Sequence, residues 1–204
     1  VLSGLTLLRH QRAVVPRLIL MEAAPTVRAF GGAAVVSNMM CYCDNFGTGK
    51  TRTVLAMIAI APLPLTCVPQ TLLSTNADDA PVRVVIKNMR ANGRMTSNMI
   101  VVKSDVIGSW TAEIALLPEL RMIKITNVFD YNEFVRVATS PGGIGKINSY
   151  DIILVKFGDM MLGGKNVPIV DTIAALLRDL RVVLSRVIMD DYEQWHRASE
   201  SIMP

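Results

Sequence analysis

Short apolar runs alternate with amphipathic stretches along most of the chain. A short run of aliphatic and β-branched residues bounded by polar, Gly or Pro positions reads as a strand buried on both faces. Residues 33–43, 98–103, 121–126, 151–155 and 182–189 fit that description. Between them, apolar positions recur at helical spacing over 5–22, 51–61, 106–117 and 169–180. In the last of these, Ile173, Leu176, Leu177 and Leu180 share one face. The alternation predicts an α/β fold with a mostly parallel central sheet flanked by helices. Two stretches read as surface loops. One is 62–79, rich in Pro, Thr, Ser, Asn and Asp; the other is 140–149, with Pro141, Gly142, Gly143 and Gly145. Asn92-Gly93, between apolar residues 82–88 and 98–103, is a turn signal that allows a hairpin. No internal repeat is evident.

Composition narrows the class. At 204 residues the chain suits one sizeable domain, or one lobe of a larger machine, and residues 1–204 read as a single unit. Half of it (51%) is apolar, so a large core can be buried, and charge is too sparse for bulk disorder. A net charge of +4 permits a nucleic-acid partner without demanding one. Cys41, Cys43 and Cys67 lack the second pair that a four-ligand zinc site needs, and read as buried thiols of a reducing, intracellular compartment. No secretory signal is expected. The most apolar stretch, 54–68, is broken by Pro62 and Pro64 and falls short of the ~20 residues of a membrane span, so no membrane association is expected. Beginning at Val1, the chain is expected to be processed or part of something longer.

Two motifs carry candidate chemistry. In Asp44-Asn45-Phe46-Gly47-Thr48-Gly49-Lys50-Thr51, an expected strand leads into a glycine-bearing loop and a helix. That is the setting of a phosphate-binding loop (P-loop). Gly47 and Gly49 let backbone amides turn toward phosphate oxygens, and the helix N-terminus favours an anion. Lys50 is expected to reach the β and γ phosphates of a nucleotide, and the Thr51 hydroxyl to bind Mg2+. Asp44 stands where the usual pattern has its first Gly, and a plain glycine turn is the alternative. The second motif, Val187-Ile188-Met189-Asp190-Asp191, ends the last expected strand. Asp190 is expected to hold Mg2+ mainly through its water shell, and Asp191 to orient or deprotonate an attacking water. The alternative is two acids that simply cap a strand.

The order of these pieces resembles the N-terminal RecA-like ATPase lobe of superfamily-two helicases, and within it the Swi/Snf-type DNA translocases. Leu8-Arg9-His10-Gln11 is similar to that family's opening Leu-Arg-x-(Tyr/His)-Gln, which implies that Gln11 reads adenine. Gly31-Gly32 followed by residues 43–51 resembles Gly-Gly and then Ala-Asp-Glu-Met-Gly-Leu-Gly-Lys-Thr, a pattern that also carries an acid at the place of Asp44. Residues 99–104 with Trp110 and Glu113 resemble motif Ia, Leu-Ile-Val-x-Pro with Trp-x-x-Glu, except that Lys103 replaces Pro. Residues 150–155 resemble motif Ib, and residues 186–193 fall where Arg-Val-Ile-Leu-Asp-Glu-Ala-His stands.

The resemblance covers nearly the whole chain. It implies a RecA-like P-loop domain that binds ATP and Mg2+ and, joined to a second lobe, hydrolyses ATP to move on nucleic acid, double-stranded DNA rather than RNA. It implies strand contacts from Lys103, Ser104 and residues 156–158, and a location in the nucleus. Departures open a rival reading, a degenerate nucleotide-binding or scaffold lobe in a larger assembly. Asp191 replaces Glu and shortens the carboxylate's reach by one methylene; Glu193 replaces the family's coupling His, with His196 out of register. The Asp-Asp-Tyr variant resembles ATPases of large DNA viruses, which would place the protein in a virion or viral factory. A second rival, a nucleotide kinase or packaging ATPase, leaves Trp110 and the motif Ib strand without an account.

Overall fold

The computed structural model of the chain describes residues 5–23, 26–28, 34–36, 42, 47–62 and 93–190. In chain order they form α1 (Arg9–Ala23), β1 (Thr26–Arg28), β2 (Ala34–Val36), α2 (Lys50–Ile60), β3 (Gly93–Lys103), α3 (Ile107–Ala115) and β4 (Met122–Ile125). Then follow α4 (Val128–Ala138), α5 (Gly143–Ile147), β5 (Ile152–Phe157), β6 (Asp159–Leu162), β7 (Lys165–Pro168), α6 (Ile169–Asp179) and β8 (Val182–Met189).

Four of the strands make one sheet in the order β4-β5-β3-β8, with every neighbouring pair parallel. The continuous apolar runs of β3 and β5 follow from burial on both faces. Met99 and Val101 of β3, with Ile153 and Val155 of β5, pack against Phe134 of α4, Ile147 of α5 and Ile173 and Leu177 of α6. The alternate residues Ile100, Val102, Ile152 and Leu154 face the other way, onto Leu55 and Ile58 of α2 and Trp110 and Ile114 of α3. The result is an α/β domain of three layers, helices–sheet–helices. Val15 and Leu18 add α1 outside α2, against Ala56 and Met57. Burying each such aliphatic side chain is worth about 1.5–3 kcal/mol, so the two faces of β3 and β5 hold most of what keeps the layers together.

Parallel pairing brings the carboxyl ends of the strands to one edge. Lys103 lies opposite Phe157, Val101 opposite Met189, and Ile125 opposite Val155. Helix α2 runs the other way: its last residues reach the opposite end, where the Ala61 carbonyl accepts from Arg186 and the Pro62 carbonyl from Asn98. The first turn of α2 therefore sits toward the carboxyl edge.

Several expectations are corrected. Of the strand expected over 33–43, only Ala34–Val36 is a strand among the described residues, and it pairs antiparallel with β1 rather than joining the parallel sheet. Helix α1 begins at Arg9, not residue 5, and continues through Pro16 at the loss of one internal hydrogen bond. Gly93 opens β3 instead of turning a hairpin, and residues 82–88 lie outside the described residues. Stretch 140–149 is not all loop, since it contains α5. Helix α4 and the β6–β7 hairpin were not expected. Asn127 caps α4 by accepting from the amides of Phe129 (2.8 Å) and Asp130 (3.1 Å), and Asp130 reaches back to the Thr126 amide at 2.8 Å. Gly163 and Gly164, with φ of 58° and 80°, turn the hairpin. No helix among the described residues is long and apolar enough to cross a membrane.

The close approach of α5 to the end of α4 depends on Gly143, where a Cβ would overlap the Val137 carbonyl oxygen and press on that of Ala138. Backbone atoms cannot swing aside as a side-chain tip can. Gly143→Ala is expected to cost about 1–3 kcal/mol, the usual penalty of overpacking, read as a lower urea midpoint; an unchanged midpoint would refute the tight contact.

Candidate functional site

The loop between residue 47 and α2 has the backbone that its glycines allow. Gly47 and Gly49 both take the left-handed conformation, with φ of 79° and 78°, which costs other residues roughly 1–2 kcal/mol. Gly49 is the N-cap of α2 and has no side chain with which to cap it. Amides in a first turn lack intrahelical carbonyls, and the dipole makes that end partly positive. Lys50 and Thr51 are the first two residues of α2, both half-buried.

Helix α1 grips this loop from outside. Gln11 is only 2% exposed. Its Oε1 accepts from the Leu8 amide at 2.8 Å, and its Nε2 donates to the carbonyls of Thr48 at 2.8 Å and Gly49 at 3.3 Å. His10 Nε2 lies 3.1 Å from the same Thr48 oxygen; a carbonyl only accepts, so this ring nitrogen must carry a hydrogen. The amide expected to read adenine is thus engaged with the loop itself.

Asp190 follows β8 directly. Its amide donates to the Val101 carbonyl at 3.0 Å, which extends the β8–β3 pairing by one bond. Its Oδ2 accepts from the indole Nε1 of Trp110 at 2.8 Å. One turn further along α3, Glu113 accepts from Arg52 Nε (2.9 Å) and Nη2 (3.1 Å) in a two-pronged ion pair. The Glu113 carboxylate raises the pKa of Arg52 above its ordinary value, chiefly through the hydrogen bond. Helix α3 therefore ties Asp190 on one side and the first turn of α2 on the other. That joins the two halves of the candidate site.

At the other end of the sheet Arg186, 6% exposed, is the hub of a buried network. It pairs with Glu22 at the end of α1 through Nε–Oε1 (2.6 Å) and a second contact from Nη2. Its Nη1 donates to Asn98 Oδ1 (2.6 Å) and the Ala61 carbonyl (3.0 Å). Nothing local in sequence marks Glu22 or Arg52, whose partners stand 164 and 61 residues away. Trp110 and Glu113 were marked only by resemblance, without partners.

The structure brings Gln11, Thr48, Gly49, Lys50 and Thr51 together, and links their helix to Asp190. Lys103 ends β3, Lys156 and Phe157 end β5, and Ser104 and Gly158 (φ 138°) follow at the same carboxyl edge. Asp44, Asn45, Phe46 and Asp191 lie outside the described residues, as do Gly31, Gly32, the three cysteines, Glu193 and His196.

No group of three or more His, Cys, Asp or Glu among the described residues could hold a metal. Thr51, at the head of α2, offers a hydroxyl, and Asp190, directly after β8, a carboxylate. Set against models of known protein families, against curated proteins and against solved structures, the chain matches none.

Proposed function

We propose that this chain is the ATP-binding, RecA-like P-loop lobe of a nucleic-acid translocase of the superfamily-two type. The observation that carries the reading is the pairing of a left-handed Gly47/Gly49 loop at the head of α2 with Asp190 at the carboxyl end of β8, linked through one turn of α3. The phosphates lie over the loop. Lys50, a half-buried residue, supplies positive charge to the β and γ phosphates. Thr51 and Asp190 hold Mg2+, which when bound offsets charge on the phosphate oxygens. Gln11 holds the loop carbonyls inward so that the loop amides face the other way; contact with adenine exchanges one of those bonds for the base. Asp191, next along the chain, orients the attacking water. Hydrolysis needs a second lobe to supply an arginine.

Nucleic acid is proposed to bind over the carboxyl edge, where Lys103, Ser104, Lys156 and Gly158 gather. Double-stranded DNA is the proposed partner, with the positive net charge in its favour. A lobe that binds nucleotide without turnover, as a scaffold in a larger assembly, is the second reading, favoured by the Asp191 and Glu193 departures.

The test is ATP binding in the presence of magnesium, followed by calorimetry. A hydrogen bond to a charged group is worth about 1.5–3 kcal/mol, so Lys50→Ala is expected to weaken ATP by roughly 10–100-fold. Equal affinity for the two proteins would remove the phosphate-loop assignment. Binding of normal strength with no turnover in any lobe arrangement, nucleic acid present, would favour the scaffold.

A further inference from the structure

Trp110 is buried to 3% exposure among Leu55, Ile58, Ile100 and Val102, so its ring is accounted for by packing. Its N–H is not. A buried indole N–H needs an acceptor, and many backbone carbonyls would serve; here the acceptor is Asp190 Oδ2, 80 residues further along the chain. A carboxylate held by a fixed donor cannot turn freely about its own axis. Glu113, three residues on and one helical turn below, holds Arg52 with both oxygens. Arg52 is the residue after Thr51. One rigid helical turn thus spans from the end of β8 to the first turn of α2, with a directional polar contact at each end.

We propose that Trp110 is a positioning residue that orients the Asp190 carboxylate toward a bound magnesium ion, while Glu113 sets the distance from Asp190 to the helix bearing Lys50 and Thr51. The Trp-x-x-Glu spacing is then a spacer between the two halves of a metal–phosphate site. This rests on the reading of Asp190 and Thr51 as magnesium ligands. The physical reason is general: groups that hydrogen-bond a metal ligand fix its orientation, and their loss typically lowers metal affinity by about 10–100-fold.

The experiment uses the 204-residue chain. Affinity for ATP is measured by calorimetry without metal and along a magnesium titration, for wild type, Asp190→Asn, Trp110→Phe and Glu113→Gln. Phe keeps an aromatic ring in the cluster and removes the donor, together with the pyrrole part of the indole. Trp110→Phe is expected to require ~10–100-fold more magnesium for the same enhancement of ATP binding, with metal-free affinity unchanged. Glu113→Gln is expected to shift both, because it releases the loop-bearing helix. A role in packing alone would leave the magnesium requirement where it was.

A second readout leaves Trp110 in place. In protein labelled at the indole nitrogens, with Trp195→Phe to assign the signals, the Trp110 N–H resonance is expected to move in Asp190→Asn. It is also expected to move as magnesium and ATP bind, saturating with the calorimetric curve. If Trp110→Phe fails to fold, this resonance decides. A resonance that stays fixed while magnesium and ATP bind overturns the proposal and leaves the site reading standing, as does a Trp110→Phe magnesium requirement equal to wild type. Wild type that binds no ATP at any magnesium concentration overturns both.

Discussion

Glu22→Gln is expected to lower the unfolding free energy by about 3–5 kcal/mol, the usual cost of removing one partner from a buried ion pair. The Arg186 guanidinium has no water to turn to, being 6% exposed, and its side-chain partner Glu22 is 9% exposed. Gln has the same size but replaces one acceptor oxygen with an NH2 group. That donor faces the donors of Arg186, and the positive charge is left among neutral acceptors, Asn98 Oδ1 and the Ala61 carbonyl. A domain is stable by only about 5–15 kcal/mol, so the loss is about a fifth of the total or more. It falls where α1, the end of α2, β3 and β8 meet. The expected signature is a lower urea midpoint with an unchanged slope. The paired replacement Glu22→Leu with Arg186→Met is expected to recover most of the loss, because apolar pairs of similar volume often match a buried ion pair. A change below about 1 kcal/mol in Glu22→Gln would mean that this pair does not hold α1 to the sheet.

Gly49→Ala is expected to cost about 2.5–6.5 kcal/mol and, on the proposed function, to abolish tight ATP binding. Two effects add. The left-handed backbone at φ 78° costs Ala roughly 1–2 kcal/mol. The new Cβ would also overlap Gln11 Nε2. The amide must then withdraw from Thr48 and Gly49, and the Leu8 amide loses its acceptor, at about 0.5–1.5 kcal/mol for each hydrogen bond. Gly47 supplies the control. Its φ of 79° is nearly the same, but among the described residues nothing lies within 4 Å of an added Cβ. Gly47→Ala should therefore show the strain without the clash. In the double variant Gly49→Ala with Gln11→Ala, the clash contribution should vanish and the costs should fall short of additive. Thermal melting of wild type, the three single variants (Gln11→Ala among them) and the double variant checks this, and equal losses for Gly47→Ala and Gly49→Ala would mean that Gln11 is not seated on the loop.

Both predictions turn on contacts that local sequence does not announce, whereas much of the layered fold is local. β8 spans 182–189 as its apolar, β-branched run predicts, and α6 and α2 fall within a residue of their expected ends. A strand buried on both faces and a helix with one apolar stripe leave their periods in the sequence, because burial repeats every two or about 3.6 residues. Local signals also existed where nothing was expected. Asn127 with Asp130 three residues later is a helix-capping pattern, and Gly163-Gly164 between apolar residues is a hairpin turn. The Gly47–Lys50 loop likewise shows in its residue types, since left-handed backbone selects glycine.

The residues themselves were enough to predict an α/β chain with parallel strands and to single out the Gly47-Thr48-Gly49-Lys50-Thr51 run and Asp190. Only the tertiary structure decided that the buried Gln11 amide is bonded to the loop carbonyls, that Trp110 donates to Asp190, and that Arg186 is matched by Glu22 from the far end of α1. It also decided that Ala34–Val36 pairs antiparallel with β1. The reason is geometric. A directional hydrogen bond forms only when two side chains arrive within about 3 Å at the right angle. For residues 80 or 164 positions apart, that depends on strand register, helix rotation and layer spacing together, which a period of two or 3.6 residues does not encode.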